Sequence, residues 1–176
     1  MEIGVLIARV VVGALFAAHG AQKLFGWFGG YGIGGTAGFM GSLRYRNPRM
    51  AAISAGIVET SAGIALVAGF LTPLAAAAVI GVMINAIVSA KWSQGLFAGY
   101  ELDLLYATAA AALAFTGAGR YSVDAALGWN AAGTTWGLVA LGLGGAVALA
   151  VLGSRVPARA LRPTESSSTD DERRAA

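Results

Sequence analysis

The sequence predicts an all-α fold, a polytopic membrane helical bundle of five spans. Three observations predict it. The chain of 176 residues is 57% hydrophobic and 12% charged, with a mean hydropathy of +0.69, whereas soluble domains carry about 25% charged residues. Five apolar runs each come close to the roughly 20 residues a helix needs to cross a bilayer. Basic and aromatic residues gather at the ends of those runs, as they do at a membrane surface.

The first span is expected over residues 3–25. Glu2 stands where a signal peptide would carry basic residues. The apolar run is long enough to cross, so no cleaved leader is expected. Residues 26–50 form a Gly-rich interfacial loop. Within it a short helix is expected over 36–46, with Phe39, Met40 and Leu43 on one side and Arg44 and Arg46 at its end. The second span covers 51–70. The third covers 74–90, and the Leu71-Thr72-Pro73 link allows only an antiparallel hairpin. The fourth covers 100–116 and the fifth 135–153. Trp27, Phe28, Trp92, Tyr100, Tyr121 and Trp136 fall at span ends. No polar linker divides the runs, so residues 1–153 read as one bundle. Residues 154–176 are polar and lack aromatics, and read as a disordered cytoplasmic tail.

With five spans, the first loop, the third loop and the C-terminus share a membrane side. That side holds Lys23, Arg44, Arg46, Arg49, Lys91, Arg155, Arg159 and Arg162, against Arg9 and Arg120 on the other. The bias places the C-terminus in the cytoplasm and the N-terminus outside, in the cell (inner) membrane. If the fifth segment did not span, this assignment would weaken. The same distribution explains the net charge of +3 as topology, so no nucleic-acid partner is expected. The chain has no cysteine, which excludes disulfides, thiolate metal sites and a persulfide carried by the chain itself.

The polar residues inside the spans are the candidates for function. His19, Gln22 and Lys23 lie at spacing i, i+3, i+4 and share one helix face. A lysine at mid-helix costs roughly 2.5–3.5 kcal/mol on insertion scales. At about 1.5 Å per residue, His19 lies about 9 Å in from the first-loop side, Glu59 about 12 Å and Asn85 about 7–8 Å. Lys23, Tyr100, Glu101 and Asp103 lie nearer that surface. Groups from four spans thus occupy one leaflet, and a polar pocket there is expected, with Glu59 and Glu101 offsetting Lys23 and a protonated His19. Glu59 is too short to reach the surface and needs a partner, a proton or a ligand. Contact with Lys23 or His19 is expected.

The structural alternative stands beside each. A buried Lys–Glu or His–Glu pair can serve only to fix packing and register. Lys23 can snorkel to the interface, and Lys91 and Asp103 can be interfacial. On the opposite side Arg9 is buried by about 9 Å, with Asp124 as its expected partner. Gly30-x-Gly32-x-x-Gly35 matches a dinucleotide fingerprint in letters but follows no strand. Gly133-x-x-x-Gly137 and Gly142-x-x-x-Ala146 suit helix packing and are common in Ala/Gly-rich chains. One histidine and no cysteine leave a haem, copper or zinc site poorly supplied, and the carboxylates show no recognisable spacing for magnesium or manganese, so no metal site is expected.

Gly13-x-x-Phe16-x-x-His19-Gly20-x-x-Lys23-Leu24, Glu59-x-x-x-Gly63 and Gly69-x-Leu71-Thr72-Pro73 resemble the DoxX family of small bacterial membrane proteins. Glu101, and the run Gly117-Ala118-Gly119-Arg120-Tyr121-Ser122-Val123-Asp124, fit the same pattern. The resemblance covers about residues 3–127. It implies a four-helix DoxX-like core, with the fifth transmembrane helix and the tail outside it. It also implies His19, Lys23, Glu59, Glu101, Arg120 and Asp124 as motif residues, with Arg9, Tyr121 and Ser122 beside them.

The family is similar to the DoxD subunit of thiosulfate:quinone oxidoreductase. The resemblance therefore implies a redox-associated subunit in sulfur or oxidative-stress metabolism, with redox-enzyme partner proteins. The polar pocket would take a quinone head group, menaquinone or ubiquinone, or a small anion. His19, Gln22, Lys23, Glu59, Asn85, Tyr100 and Glu101 are the ligand candidates. The alternative is a non-catalytic scaffold. Its mark would be Lys23 and Glu59 in direct contact with no pocket between the helices. A small transporter would need a second opening that the sequence does not indicate. Membrane lipid surrounds the chain in every reading, and the Ala- and Gly-rich faces suggest a dimer or larger complex.

Overall fold

The computed structural model describes residues 2–156. The tail expected to be disordered lies almost wholly outside them. Seven α-helices follow one another: α1 (Glu2–Phe25), α2 (Gly32–Ser42), α3 (Pro48–Ala68), α4 (Thr72–Ala86), α5 (Glu101–Thr116), α6 (Val123–Ala126) and α7 (Thr134–Gly153). Five stretches are long and apolar enough to cross a membrane: Glu2–Phe25, Pro48–Ala68, Thr72–Gln94, Leu96–Thr116 and Thr134–Gly153. The chain is a multi-pass membrane protein with an all-α bundle.

Local chemistry sets the boundaries. Gly26, in the left-handed region at φ +73°, stops α1. Asn47 caps α3, its side chain accepting from the Met50 amide at 3.2 Å, and Pro48 follows at the first helical position. Cap and proline together start this span at Pro48, ahead of the expected residue 51. Gly69 ends it, and Leu71 adopts φ +49° to turn into α4.

Two stretches differ from expectation. The short helix occupies Gly32–Ser42 instead of 36–46. Arg44 takes φ +65°, and Tyr45 pairs with Arg155 in an isolated antiparallel bridge, so these residues leave the helix to meet the end of α7. The link expected at 91–99 is mostly helical. A wide turn over Ile87–Lys91 and a 3-10 turn over Trp92–Gln94 extend α4, a wide turn over Leu96–Tyr100 leads into α5, and Gly95, at φ +80°, separates the two.

α4 lies at the centre, against α3, α5 and α7, and α1 packs along α3. The core is built from small residues: Ala62, Ala75, Ala76, Ala77, Ala110, Ala114 and Ala140 surround Phe16, Leu66, Val79 and Ile80. Between helices in lipid, water is not there to drive apolar burial, so close van der Waals fit holds the bundle. The large apolar side chains face outward, as Ile3, Ile7, Val11 and Leu15 do along α1.

Candidate functional site

The α1–α3 contact positions the first polar group. A Cβ at Gly13 would stand 2.6 Å from the Gly63 oxygen, and one at Gly20 would stand 2.7 Å from the Gly56 oxygen. Glycine pairs seven residues apart on each helix thus let the two backbones touch. Helical side chains lean toward their own N-terminus. Lys23, beyond Gly20, and Glu59, beyond Gly56, therefore lean toward the same level and meet in an ion pair. Glu59 is buried, with its side chain 3% exposed, while that of Lys23 is 28% exposed. Lys23 turns back to the carboxylate instead of reaching only to the surface.

His19 occupies a different position. It is exposed and follows the outward run Ile3, Ile7, Val11 and Leu15. Its Nδ1 lies 3.0 Å from the Gln22 Oε1, and the Gln22 amide donates to the Phe28 carbonyl at 3.1 Å. The ring stands edge-on to Tyr106 at 6.1 Å, and Tyr106 in turn packs against Phe16. Gln22 thus ties His19 to the Gly-rich loop, and α5 supplies an aromatic wall.

The remaining candidates are paired elsewhere. Asn85 Oδ1 accepts from the Tyr45 hydroxyl at 2.5 Å, and Asn85 Nδ2 is buried without a partner among the described residues. Tyr100 stacks on Trp92 at 5.8 Å. Glu101 is exposed and does not offset Lys23; among the described residues the ion pairs are Lys23–Glu59 and Lys91–Asp103. The carboxylate of α5 that turns inward is Asp103, with Lys91 at 2.6 Å. Glu101 and Asp103 lie two residues apart and so point to different sides of the helix. Among the described residues the leaflet therefore holds four separate side-chain pairs, His19–Gln22, Lys23–Glu59, Tyr45–Asn85 and Lys91–Asp103.

Two residues of this region were not singled out by the sequence. Tyr106 stands three positions after Asp103 on the same face of α5, a spacing that carries the signal. Tyr45 lies in irregular chain and has none. Among the described residues no group of three His, Cys, Asp or Glu side chains is placed to hold a metal ion.

The opposite end is built differently. Arg9 is 1% exposed and donates to the carbonyls of Ala118 and, at 2.6 Å, Tyr121. Its hydrogen-bond partners are backbone oxygens, and the Asp124 carboxylate acts on it through charge without a direct hydrogen bond. Asp124 caps α4 instead. It accepts from the Leu71 amide at 2.8 Å, the Thr72 amide at 3.0 Å and the Thr72 hydroxyl at 2.8 Å. Gly69, at φ +65°, leaves room for Arg9, since a Cβ there would collide with the guanidinium. Ser122 caps α6 by accepting from the Ala125 amide at 3.1 Å. Arg120 lies over the exposed Tyr121 ring at 5.2 Å. A half-open cavity of about 360 Å³ lies at this end.

The fold and these intramembrane groups define a small multi-pass helical membrane protein with one side-chain-paired end and one backbone-bound end. The chain belongs to the DoxX family, whose model matches residues 4–92. A second family model, described as "TQO small subunit DoxD", matches residues 49–145. Among curated proteins the chain is similar to "Putative oxidoreductase CatD" of Bacillus subtilis (strain 168), at 28% identity over 123 residues, covering 70% of this chain and 86% of the relative. No solved structure matches the chain.

Proposed function

We propose that this chain is the membrane subunit of a redox system and that His19 receives a quinone head group from the bilayer. The observation that carries the reading is the position of His19. It is an exposed imidazole ring at the end of an outward-facing stripe, one helical turn from the part-buried Lys23–Glu59 pair. The descriptions of the matched DoxD model and of the curated relative, a small subunit of TQO and an oxidoreductase, support the redox part.

A quinone, when bound, supplies a couple of two electrons and two protons. The chain's own residues would bind and manage protons. His19 and Lys23 donate to a carbonyl oxygen, Gln22 orients the imidazole, and Glu59 holds the lysine charge in place. The chain has no cysteine, so a sulfur intermediate would be carried by a partner or in solution. Native mass spectrometry of protein extracted with its lipids should find menaquinone or ubiquinone, with less in His19→Leu. No quinone in the wild type, together with unchanged oxidant tolerance in a Glu59→Gln strain, overturns the reading.

A scaffold function is favoured by one observation, the direct Lys23–Glu59 contact. In that case the pair only fixes register, and redox enzymes dock without a quinone on this chain. A dimer or larger complex fits both readings, and a monodisperse monomer in mild detergent would argue against it.

The proposed orientation is N-terminus outside and C-terminus in the cytoplasm of the inner membrane. Supporting it, Arg155 donates to the Leu43 carbonyl at 2.8 Å, so the end of α7 and the basic first loop share a side. A single cysteine at Arg46→Cys should be labelled by an impermeant reagent only after permeabilisation, and one at Asn130→Cys before it. The reverse pattern inverts the assignment.

A further inference from the structure

We propose that Gln22 fixes the His19 ring with its hydrogen on Nδ1, so that the neutral ring presents a bare Nε2 and the site prefers the reduced, hydroxyl-bearing form of a quinone. The inference rests on the reading of His19 as a quinone site and adds which redox form the neutral ring selects. Gln22 is a positioning residue in it.

The direction of each hydrogen bond follows from the backbone outward. The Phe28 carbonyl can only accept, so the part of the Gln22 amide that faces it, at 3.1 Å, is the NH2 group. The other part of the same amide, Oε1, faces His19 Nδ1 at 3.0 Å. An amide oxygen can only accept, so Nδ1 carries the hydrogen. In a neutral imidazole the second nitrogen is then an acceptor. The ring is exposed, and its hydrogen bond among the described residues is the one through Nδ1.

The surroundings hold Gln22 in this sense. The Gly26 amide donates to the Gln22 carbonyl at 3.2 Å, and a Cβ at Gly30 would stand 2.5 Å from the Gln22 Cα. The loop therefore folds back tightly on Gln22. Phe28, at φ +53°, lies within that fold and presents its carbonyl to the amide. Turning the amide over would set Oε1 against the Phe28 oxygen, two acceptors face to face. On the ring side, the buried Tyr106 stands edge-on to His19 at 6.1 Å.

A quinol hydroxyl donates to a bare Nε2. A quinone carbonyl can only accept, and it meets that nitrogen lone pair to lone pair. The carbonyl contact proposed above therefore needs the ring with both its protons. Lys23 does not discriminate, because an ammonium donates to a hydroxyl and to a carbonyl oxygen alike. One hydrogen bond made in one form and missing in the other corresponds to a preference of about tenfold.

The chain has one histidine, so ¹⁵N-histidine labelling of the full chain, without a histidine tag, reports on His19 alone. In nanodiscs at mildly alkaline pH, where an imidazole carries one proton, that proton should be on Nδ1. Gln22→Leu removes the acceptor and should shift it toward Nε2. A decyl-tailed benzoquinone, and its hydroquinone held reduced with dithionite, are then titrated without oxygen, and the Nε2 signal gives both affinities. Wild type should bind the reduced form about tenfold more tightly, and Gln22→Leu should bind the two forms about equally. A wild-type ring with its proton on Nε2, or an oxidised form bound as tightly as the reduced, overturns the inference and leaves a quinone site at His19 standing. A preference that survives Gln22→Leu unchanged overturns the role of Gln22. If neither form moves the His19 signals, the quinone reading itself falls, and the preference with it.

Discussion

The two ends of the bundle bury charge in opposite ways. At the first-loop end charged side chains meet charged side chains: Lys23 with Glu59, and Lys91 with Asp103. At the far end they meet backbone: Arg9 with two carbonyls, and Asp124 with the amides of Leu71 and Thr72. A side-chain pair can be removed by changing both partners. A backbone partner cannot be removed at all. The first arrangement leaves room for a pair to be lost, exchanged or separated by a ligand, and the second welds loops to helices. The same family motifs thus divide into a changeable site and a fixed joint.

The largest expected effect tests the changeable end. Glu59→Ala leaves the half-buried Lys23 ammonium without its carboxylate at the close α1–α3 contact, at a cost on the order of 3–5 kcal/mol for a broken buried pair. Adding Lys23→Met should recover much of that loss, because the apolar stem fills the space without a charge. Unfolding in mixed detergent micelles reads both. A double variant no more stable than Glu59→Ala alone would mean that Glu59 answers to another group, and the contrast between the ends would blur.

The next effect tests the fixed end. Asp124→Ala leaves two amides and the Thr72 hydroxyl without their acceptor at a buried helix start. Each buried unsatisfied group costs about 1–3 kcal/mol, and shared relaxation and water bring the expected total to about 2–4 kcal/mol. No second side-chain change should rescue it, Thr72→Val included, since the amides remain. Recovery by Thr72→Val to wild-type stability would show that the hydroxyl alone matters and that the backbone weld is not the principle.

The spans were legible because a bilayer imposes one length on every crossing helix and because the apolar runs are uninterrupted. Lys23 and Glu59 were legible as neighbours because helical rise fixes depth. Arg9 was legible as buried but not as to its hydrogen-bond partners, and Asp124 was not legible as the cap of α4. Their partners are carbonyls and amides in a loop whose course depends on positive φ at Gly69, Leu71, Gly117 and Gly119, and no residue type records which oxygen such a loop presents. Glu101 was misplaced for a simpler reason. It lies two residues from Asp103, and depth arithmetic does not distinguish opposite sides of a helix. The extension of α4 and α5 through wide turns was hidden because Lys91 and Trp92 end one apolar run at the surface and the next begins at residue 100.

The smallest effect separates a structural role from a binding one at Asn85. Its Oδ1 is spent on the hydroxyl of Tyr45, whose backbone also pairs with Arg155 at the end of α7. Its Nδ2 is buried with no partner among the described residues. Tyr45→Phe alone removes one hydrogen bond and leaves a second orphan on the amide, costing about 1 kcal/mol. Tyr45→Phe with Asn85→Leu removes the bond and both orphans together. Replacing both partners by apolar groups is nearly neutral in such cases, so the double variant should match wild-type stability. Its quinone content then decides the matter. If stability and bound quinone are both unchanged, Asn85 serves only to hold Tyr45. If stability is kept and quinone is lost, the unpaired Nδ2 is the donor that a head group uses, and the site extends from α1 to α4.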